Sequence, residues 1–588
     1  MMKKHCYLAI LCAAALLIGL AGCGTPANSA SSAAAISEVE APAVSEESIA
    51  VSAPADSAEA SPADSVLESS AEEETTTVTS LNQVVRTQNT VATLPLTQDE
   101  IVMTAWDYGV PPVLAVLTDF GTETQLYTQL QERTGITFDF TTSSIFNAQE
   151  SIQLMVAANE LPDITFSFSG FYSSSLDDLI DGDIIVNLSD YESYMPNYFD
   201  ILENNDFVKR DVLTEDGNIA TANAINQSVY PMAGTVIRQD WLDDLGIDMP
   251  VTYDEFKDAL MEIKSAGLCQ YPLWCSSNLA FTGNGLATGF DVGVATSSGS
   301  GVSGWTYLDN QVQFSPKLDG YRDYIALMAD WYAAGLISPD FATKAVSSNT
   351  PTDDIVGGQA AMYWSSTTAM TTLASYEECD VQPIPAPVLN AGDLTHYDNV
   401  NASYVGRGTV ISANCEHPEL AAQLLDYLYS DDGILLAAYG VEGVSFEYDD
   451  DGTPQITDLV INNPDGLDFS ICVIKYMAST DCPTLQSMGR YTQAYTDAQI
   501  KSMDIWRMTG ESHLVPGTVW EDDNKSQFNT LMTDIEIYML ENILPFVMGQ
   551  RSMDQWDEFI TELDNQFGAD IETCTALYQE AIDAYLSR

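Results

Sequence analysis

Cations are what this sequence lacks. Its 588 residues include 20 lysines and arginines and four histidines against 86 acidic side chains, giving a formal charge of −66 and an isoelectric point near 4.1. A nucleic-acid binder needs a basic stripe to replace the counterions of phosphate, and so few cations cannot build one. Direct docking on an anionic membrane surface is excluded on the same ground. Metal and nucleophile motifs are missing too: there is no CxxC and no cysteine–histidine cluster at zinc spacing, so no structural metal and no cofactor is called for. Neither HExxH nor GxSxG occurs, and His396, His417 and His513 stand in unrelated sequence contexts. With 86 carboxylates, an acidic pair at glycosidase separation arises by chance, so acidity carries no information about a catalytic dyad.

What is present is apolar material for large cores. Hydrophobic residues make up 46% and aromatics 10%, and the length implies two or more domains. Residues 1–22 read as an export signal, with Lys3 and Lys4 ahead of the apolar run Tyr7 to Leu20, which is too short to span a bilayer comfortably. Leu20-Ala21-Gly22-Cys23 matches a lipobox, so Cys23 is the expected lipidation site. More than one acyl chain there would hold the protein on the outer face of a membrane. Residues 23–99 form an acidic tether in which eleven acids and no base precede Arg86, and the folded part is expected from about residue 100. Seven further cysteines, an odd number, leave at least one thiol free if all pairs are intramolecular; Cys269 with Cys275 and Cys472 with Cys482 are nearest in sequence.

Helix and strand signals alternate beyond the tether. Thr122 and Gln125 have capping-box spacing, Leu126 and Leu130 share a helix face, Gly135 ends the helix, and Ile136, Phe138 and Phe140 alternate as a strand. Thr252 and Glu255 open a second helix carrying Phe256, Leu260 and Ile263, and Pro418 opens a third with Leu420, Leu424 and Leu428. The last ~65 residues read as helical, with Pro545 bending or ending one helix. This pattern gives α/β domains with largely parallel sheets. Gly299 to Gly304 fits GxGxxG but lies in a Ser/Gly stretch, and reads as a loop. Asp450-Asp451-Gly452 reads as a hairpin turn rather than a calcium loop, because the expected glutamate is missing.

Several segments together resemble the solute-binding lipoproteins of carbohydrate ABC importers, the broad group that includes maltose-binding protein. The resemblance is carried by Leu154 to Ile164 with its Leu-Pro-Asp-Ile ending, by Ile237-Arg238-Gln239-Asp240-Trp241-Leu242-Asp243-Asp244-Leu245-Gly246, by Asp330-Trp331-Tyr332-Ala333-Ala334-Gly335-Leu336-Ile337, and by Gly358-Gln359-Ala360-Ala361-Met362-Tyr363-Trp364. Tyr439-Gly440-Val441-Glu442-Gly443-Val444 is similar to a subgroup that takes up oligosaccharides or polysaccharides. What the resemblance implies is a two-lobed periplasmic-binding-protein-like α/β fold of type II with a helical C-terminus. The N-lobe would be 100–229 plus 405–500 and the C-lobe 230–404 plus 501–588, with crossovers near Ser228 to Met232 and Ser403 to Gly408. A monomer on the extracellular face would capture a carbohydrate between the lobes and hand it to ABC permease subunits.

A sugar presents hydroxyl edges and apolar faces, so its site needs aromatic platforms and convergent polar groups. By the resemblance these come from four places: Trp106, Asp107 and Tyr108 after the first strand; Asp163, Ser167, Phe168, Phe171 and Tyr172; Tyr271, Trp274 and Ser276; and Trp364. Strong negative charge would repel polyuronates unless Arg238 or Arg407 faced the cleft, so neutral sugars are favoured. The competing readings are a surface glycan-degrading enzyme and a sensor or adhesin on the same fold.

Overall fold

The computed structural model describes residues 83–276, 286–294, 304–344, 350–376, 378–397, 400–401, 404–487, 489–490, 493 and 495–588. The expected signal, Cys23, most of the expected tether and all of the GxGxxG stretch except Gly304 lie outside the described residues. Strands are numbered in chain order: β1 Ile101–Gly109, β2 Ile136–Ser144, β3 Ile164–Thr165, β4 Ala222–Asn226, β5 Pro231–Arg238, β6 Trp305–Leu308, β7 Gln311–Phe314, β8 Met362–Ser366, β9 Val381–Pro383, β10 Val400–Asn401, β11 Val405–Ile411, β12 Phe446–Tyr448, β13 Pro454–Ile456 and β14 Leu485–Gln486.

Two sheets organise two lobes. The first has the order β14-β4-β11-β3-β1-β2, with β1 parallel to both β2 and β3, and β11 antiparallel to β3 and β4. The second is centred on β5, which pairs antiparallel with β8, β9 and β10. The chain passes from first sheet to second between β4 and β5, and returns between β10 and β11. It leaves again after β14, since the helix Asp497–Ile505 packs on β5 and β9.

Local sequence explains the elements that place these strands. The helix Gln125–Thr134 buries Leu126 and Leu130 and ends at Gly135, whose φ of 79° suits a residue without a Cβ. It does not begin at the Thr122 capping box, however: Thr122 donates its hydroxyl to Asp119, which caps a separate short helix, Phe120–Glu123. In the helix Tyr253–Ser265 the Thr252–Glu255 capping box is formed, and Phe256, Leu260 and Ile263 are fully buried. Pro418 opens the helix Pro418–Tyr427, where its missing N–H costs nothing. Pro545 sits in the last turn of Asp522–Val547, which packs on Asp319–Ala333 and Trp556–Leu586 in the core of the second lobe. Between β12 and β13, Gly452 adopts φ 80° while the Asp449 carboxylate accepts the N–H groups of Asp451 and Thr453, closing the hairpin.

Folded contacts begin before residue 100, where composition had placed the end of a tether. Val84 is buried, Thr87 donates its N–H and hydroxyl to Asp200 at 2.7 and 2.6 Å, and Thr90 donates its N–H to Asn197. Arg86 binds the Tyr429 carbonyl and pairs with Asp431. These residues belong to the folded body because they satisfy buried polar groups of the first lobe, which composition does not reveal. All seven described cysteines are buried free thiols; burial pushes the Cys275 and Cys415 thiols up to about 12. Among the described residues no helix is long and apolar enough to cross a membrane.

Candidate functional site

The carboxyl ends of β1 and β3 bring four of the expected residues together. The Asp107 carboxylate, 7% exposed, accepts the N–H of Tyr108 at 2.8 Å and hydroxyls from Tyr127 at 3.3 Å and Ser167 at 3.5 Å. Ser167 reaches it from a left-handed turn, φ 56°, that ends β3. Burial pushes the Asp107 carboxyl up to about 7, partly offset by the Tyr108 N–H. Tyr108 donates to Asp481 at 2.5 Å, and Arg407 Nη1, on β11, donates both to that hydroxyl and to the same carboxylate oxygen at 2.8 Å. Burial works against the Arg407 charge, but Asp481 and Tyr108 more than compensate and leave its pKa above the ordinary value. The guanidinium lies 4.7 Å from the Phe171 ring centroid and 5.1 Å from that of Tyr108. Its stem runs over Gly170, where any Cβ would collide with Arg407. Behind this cluster is a cavity of about 80 Å³ lined by Asp107, Tyr108, Tyr127, Phe120, Met477 and Ser479, among others.

The remaining expected residues separate into covered and accessible groups. Asp163 lies at the opposite, amino end of β3. Its carboxylate takes the Thr104 N–H and hydroxyl at 2.7 and 2.8 Å and its carbonyl takes the Ser412 N–H, so it clamps the strand end. Phe168 is fully buried and stacks on half-buried Tyr172 at 5.2 Å, and Trp106 is 3% exposed, edge-on to Phe171. In the second lobe Trp274 is 2% exposed and donates its indole N–H to Asp354 at 2.7 Å, while Ser276 is fully buried. Tyr271 and Trp364 are half-buried, Trp364 opposite Thr235 in the β5–β8 ladder. Arg238 is held by Asp240 and the Ile355 carbonyl at the far end of β5, away from the crossovers, whereas Arg407 lies just inside β11.

A second feature went unread in the sequence. Directly after Tyr172, Ser173 to Asp177 form one wall of a groove of about 470 Å³. The helix Asp206–Val212 and the following turn supply Arg210, Asp211, Thr214 and Glu215; the segment before the helix Asp522–Val547 supplies Thr518 and Trp520, that helix supplies Lys525, and the end of the helix Trp556–Leu586 supplies Tyr585, with Arg588 just beyond it. Tyr585 donates to Asp211 at 2.6 Å and Arg588 Nη1 to the Leu213 carbonyl at 2.6 Å, so the chain's last turn bridges the lobes. Arg210 Nε and Arg588 Nη2 are buried with no acceptor among the described residues. Burial lowers the Arg588 pKa against the pull of Glu215 and Asp177. Three cations, Arg210, Lys525 and Arg588, face three acids, Asp177, Asp211 and Glu215, so the lining is charge-balanced. Only the long sequence separation of its walls hid this groove.

Two α/β lobes joined by crossover segments, with polar groups gathered at strand ends of the first, define a two-lobed solute-capturing protein of the type II periplasmic-binding fold. The sequence model for bacterial extracellular solute-binding proteins matches residues 115–434, and the chain belongs to that family. Among solved structures it is similar to a human-milk-oligosaccharide (HMO)-binding, ABC-transporter-associated solute-binding protein from Bifidobacterium longum infantis, at 14% identity and TM-score 0.62, covering 83% of this chain and 99% of that one. It is also similar to FusA of S. pneumoniae in complex with kestose, at 18% identity and TM-score 0.55, and to alginate-binding protein AlgQ2 in a calcium-free crystal structure, at 18% and 0.53. Each of these two likewise covers 83% of this chain and 99% of its own. At such identities the likeness is one of fold. No curated protein matches the sequence.

Proposed function

We propose that the chain is a lipid-anchored receptor that binds a neutral oligosaccharide between its lobes and delivers it, chemically unchanged, to the permease of an ABC importer. The anchor is Cys23 of the lipobox, and the acidic segment behind it is the tether. The lobes are about 83–229 plus 405–490 and 230–404 plus 495–588, closing about the crossovers. The observation that carries the carbohydrate reading is the groove: serine and threonine hydroxyls, basic and acidic side chains in equal number, and Trp520 and Tyr585 in one polar lining. Such a surface offers alternating donors and acceptors with aromatic faces, which suits uncharged polyols better than polyanions. The reading adds as further ligand contacts Tyr108, Tyr172 and Arg407, the last with its charge answered by Asp481, from the first lobe and Tyr271 and Trp364 from the second, with Trp106, Asp107, Ser167, Phe168, Phe171, Trp274 and Ser276 as buried support. The descriptions of the three relatives name human-milk oligosaccharide, kestose and alginate; all are carbohydrates, and the first two agree with a neutral ligand, whereas alginate is a polyuronate.

The test is thermal unfolding of the purified protein across a panel of neutral and uronic oligosaccharides, with product analysis. A neutral glycan that raises Tm by mass action and is recovered intact supports the proposal. Hydrolysis of that glycan, or stabilisation by uronates alone, overturns it.

A further inference from the structure

Only four histidines occur in the chain, yet two of them are in ring contact. The His396 and His513 imidazoles stack at 4.2 Å between centroids with planes 3° apart. Three chain segments far apart in sequence meet here. Asp291 follows the short helix Thr288–Phe290, His396 precedes β10, and His513 lies between the helices Asp497–Ile505 and Asp522–Val547. One potential ligand atom from each of the three lies within 4.8 Å of the others. The backbone fixes this convergence: the N–H of His513 donates to the His396 carbonyl at 3.0 Å, and Gly510 and Thr509 donate to the Thr395 carbonyl.

We infer that Asp291, His396 and His513 form a binding site for one borderline divalent metal ion of the zinc type. The donor set is the first reason: imidazole nitrogens with one carboxylate suit zinc and its neighbours, whereas calcium and magnesium require shells of oxygen. The second is the surrounding hydrogen bonding. His396 Nδ1 lies 2.8 Å from the Glu511 carbonyl oxygen, and His513 Nδ1 lies 2.6 Å from Asp291 Oδ1. A carbonyl only accepts, so His396 carries its proton on Nδ1 and turns the Nε2 lone pair outward, the tautomer that metal-bound histidines use. Access is the third, since the Asp291 side chain is 45% exposed and that of His513 16%. In parallel rings the in-plane lone pairs do not converge, so loading the ion turns one imidazole about its Cβ–Cγ bond. Three protein ligands leave a fourth position for water. The ion would staple segment 506–513 to the second lobe a few residues before the return crossover.

The chelator-stripped full-length protein is titrated with zinc chloride by calorimetry, with calcium and magnesium chlorides as controls for binding to the acidic surface. One zinc per chain, a rise in Tm, and about 100-fold weaker binding in His396→Gln and in His513→Gln are expected. The zinc absorption edge of the wild-type protein should report two imidazole ligands. That measurement stands even if a variant fails to fold. Wild-type zinc affinity in the His396→Gln/His513→Gln double variant, zinc binding no tighter than that of calcium, or an all-oxygen shell would each overturn the site.

Discussion

Val84 donates its backbone N–H to the carbonyl of Gln227 at 2.9 Å, fastening the segment ahead of β1 beside the first crossover. Gln227 in turn donates to the carbonyl of Gln486, and Asn226 to that of Tyr404, so three passages between lobes share one patch of hydrogen bonds. Truncation should therefore separate sharply around this point. A chain starting at Leu81 should keep the full Tm. One starting at Ala92 loses the hydrogen bonds to Asp200, Asn197 and Gln227. At about 1 kcal/mol each, with further cost from the stranded Asp200, it should unfold several degrees lower. Equal melting temperatures would show that the strap is idle.

The aromatic candidates divide by burial, and that division is testable. Trp274→Ala removes a 2%-exposed ring and its bond to Asp354, so about 3–5 kcal/mol of stability should be lost. Trp520 and Trp364 are half-buried, and their alanine variants should reduce affinity for an identified glycan by about tenfold, with a smaller effect on Tm. Affinities within twofold of wild type in both variants would remove these rings from the proposed site. Denaturant unfolding and calorimetric titration of the same preparations provide the two readouts.

How much of this was legible in the sequence depended on the range of the interaction. The Thr252–Glu255 box, the Gly135 stop, Pro418 and the Asp450-Asp451-Gly452 turn are written within a few residues, and each forms. Asp107 and Ser167 were each named through the resemblance, from separate segments, but their contact is a product of the fold. Trp274 and Phe168 looked like platforms because aromatic identity alone does not distinguish a core ring from a cleft ring; only the neighbours Asp354 and Tyr172 decide it. The groove and the Arg407–Asp481 pair join residues that only tertiary folding brings together, and no local pattern encodes them.

Asp107 and Asp426 set a pH dependence. Burial raises their folded-state values to about 7 and about 6, above the ordinary carboxylate value of about 4 that each has when unfolded. The folded protein therefore holds these protons more tightly, and their contribution to stability is greatest below pH ~4 and is lost as pH rises through 6 and 7. Asp107→Asn abolishes its share. The Tm of that variant relative to wild type should climb between pH 4 and 7 and level off above. A difference independent of pH would mean that Asp107 is not charged at a cost.

Gly234 in β5 has no room for a side chain, because the Trp506 ring lies directly on it and its indole N–H donates to the neighbouring Thr235 carbonyl at 2.9 Å. Trp506 caps the helix Asp497–Ile505 and belongs to the core shared by Val236, Trp274, Tyr363 and Val381. A methyl group at 234 must push the indole off the strand, breaking that bond and unseating the helix that carries the chain from the first lobe into the second. Gly234→Ala should cost about 1–3 kcal/mol by overpacking, and more if the Thr235 carbonyl is left buried without a donor. Because the displaced group is a tryptophan, the change is visible by fluorescence as a red shift before any denaturant is added. If Gly234→Ala matches wild type in emission and Tm, Trp506 does not hold this helix on the sheet.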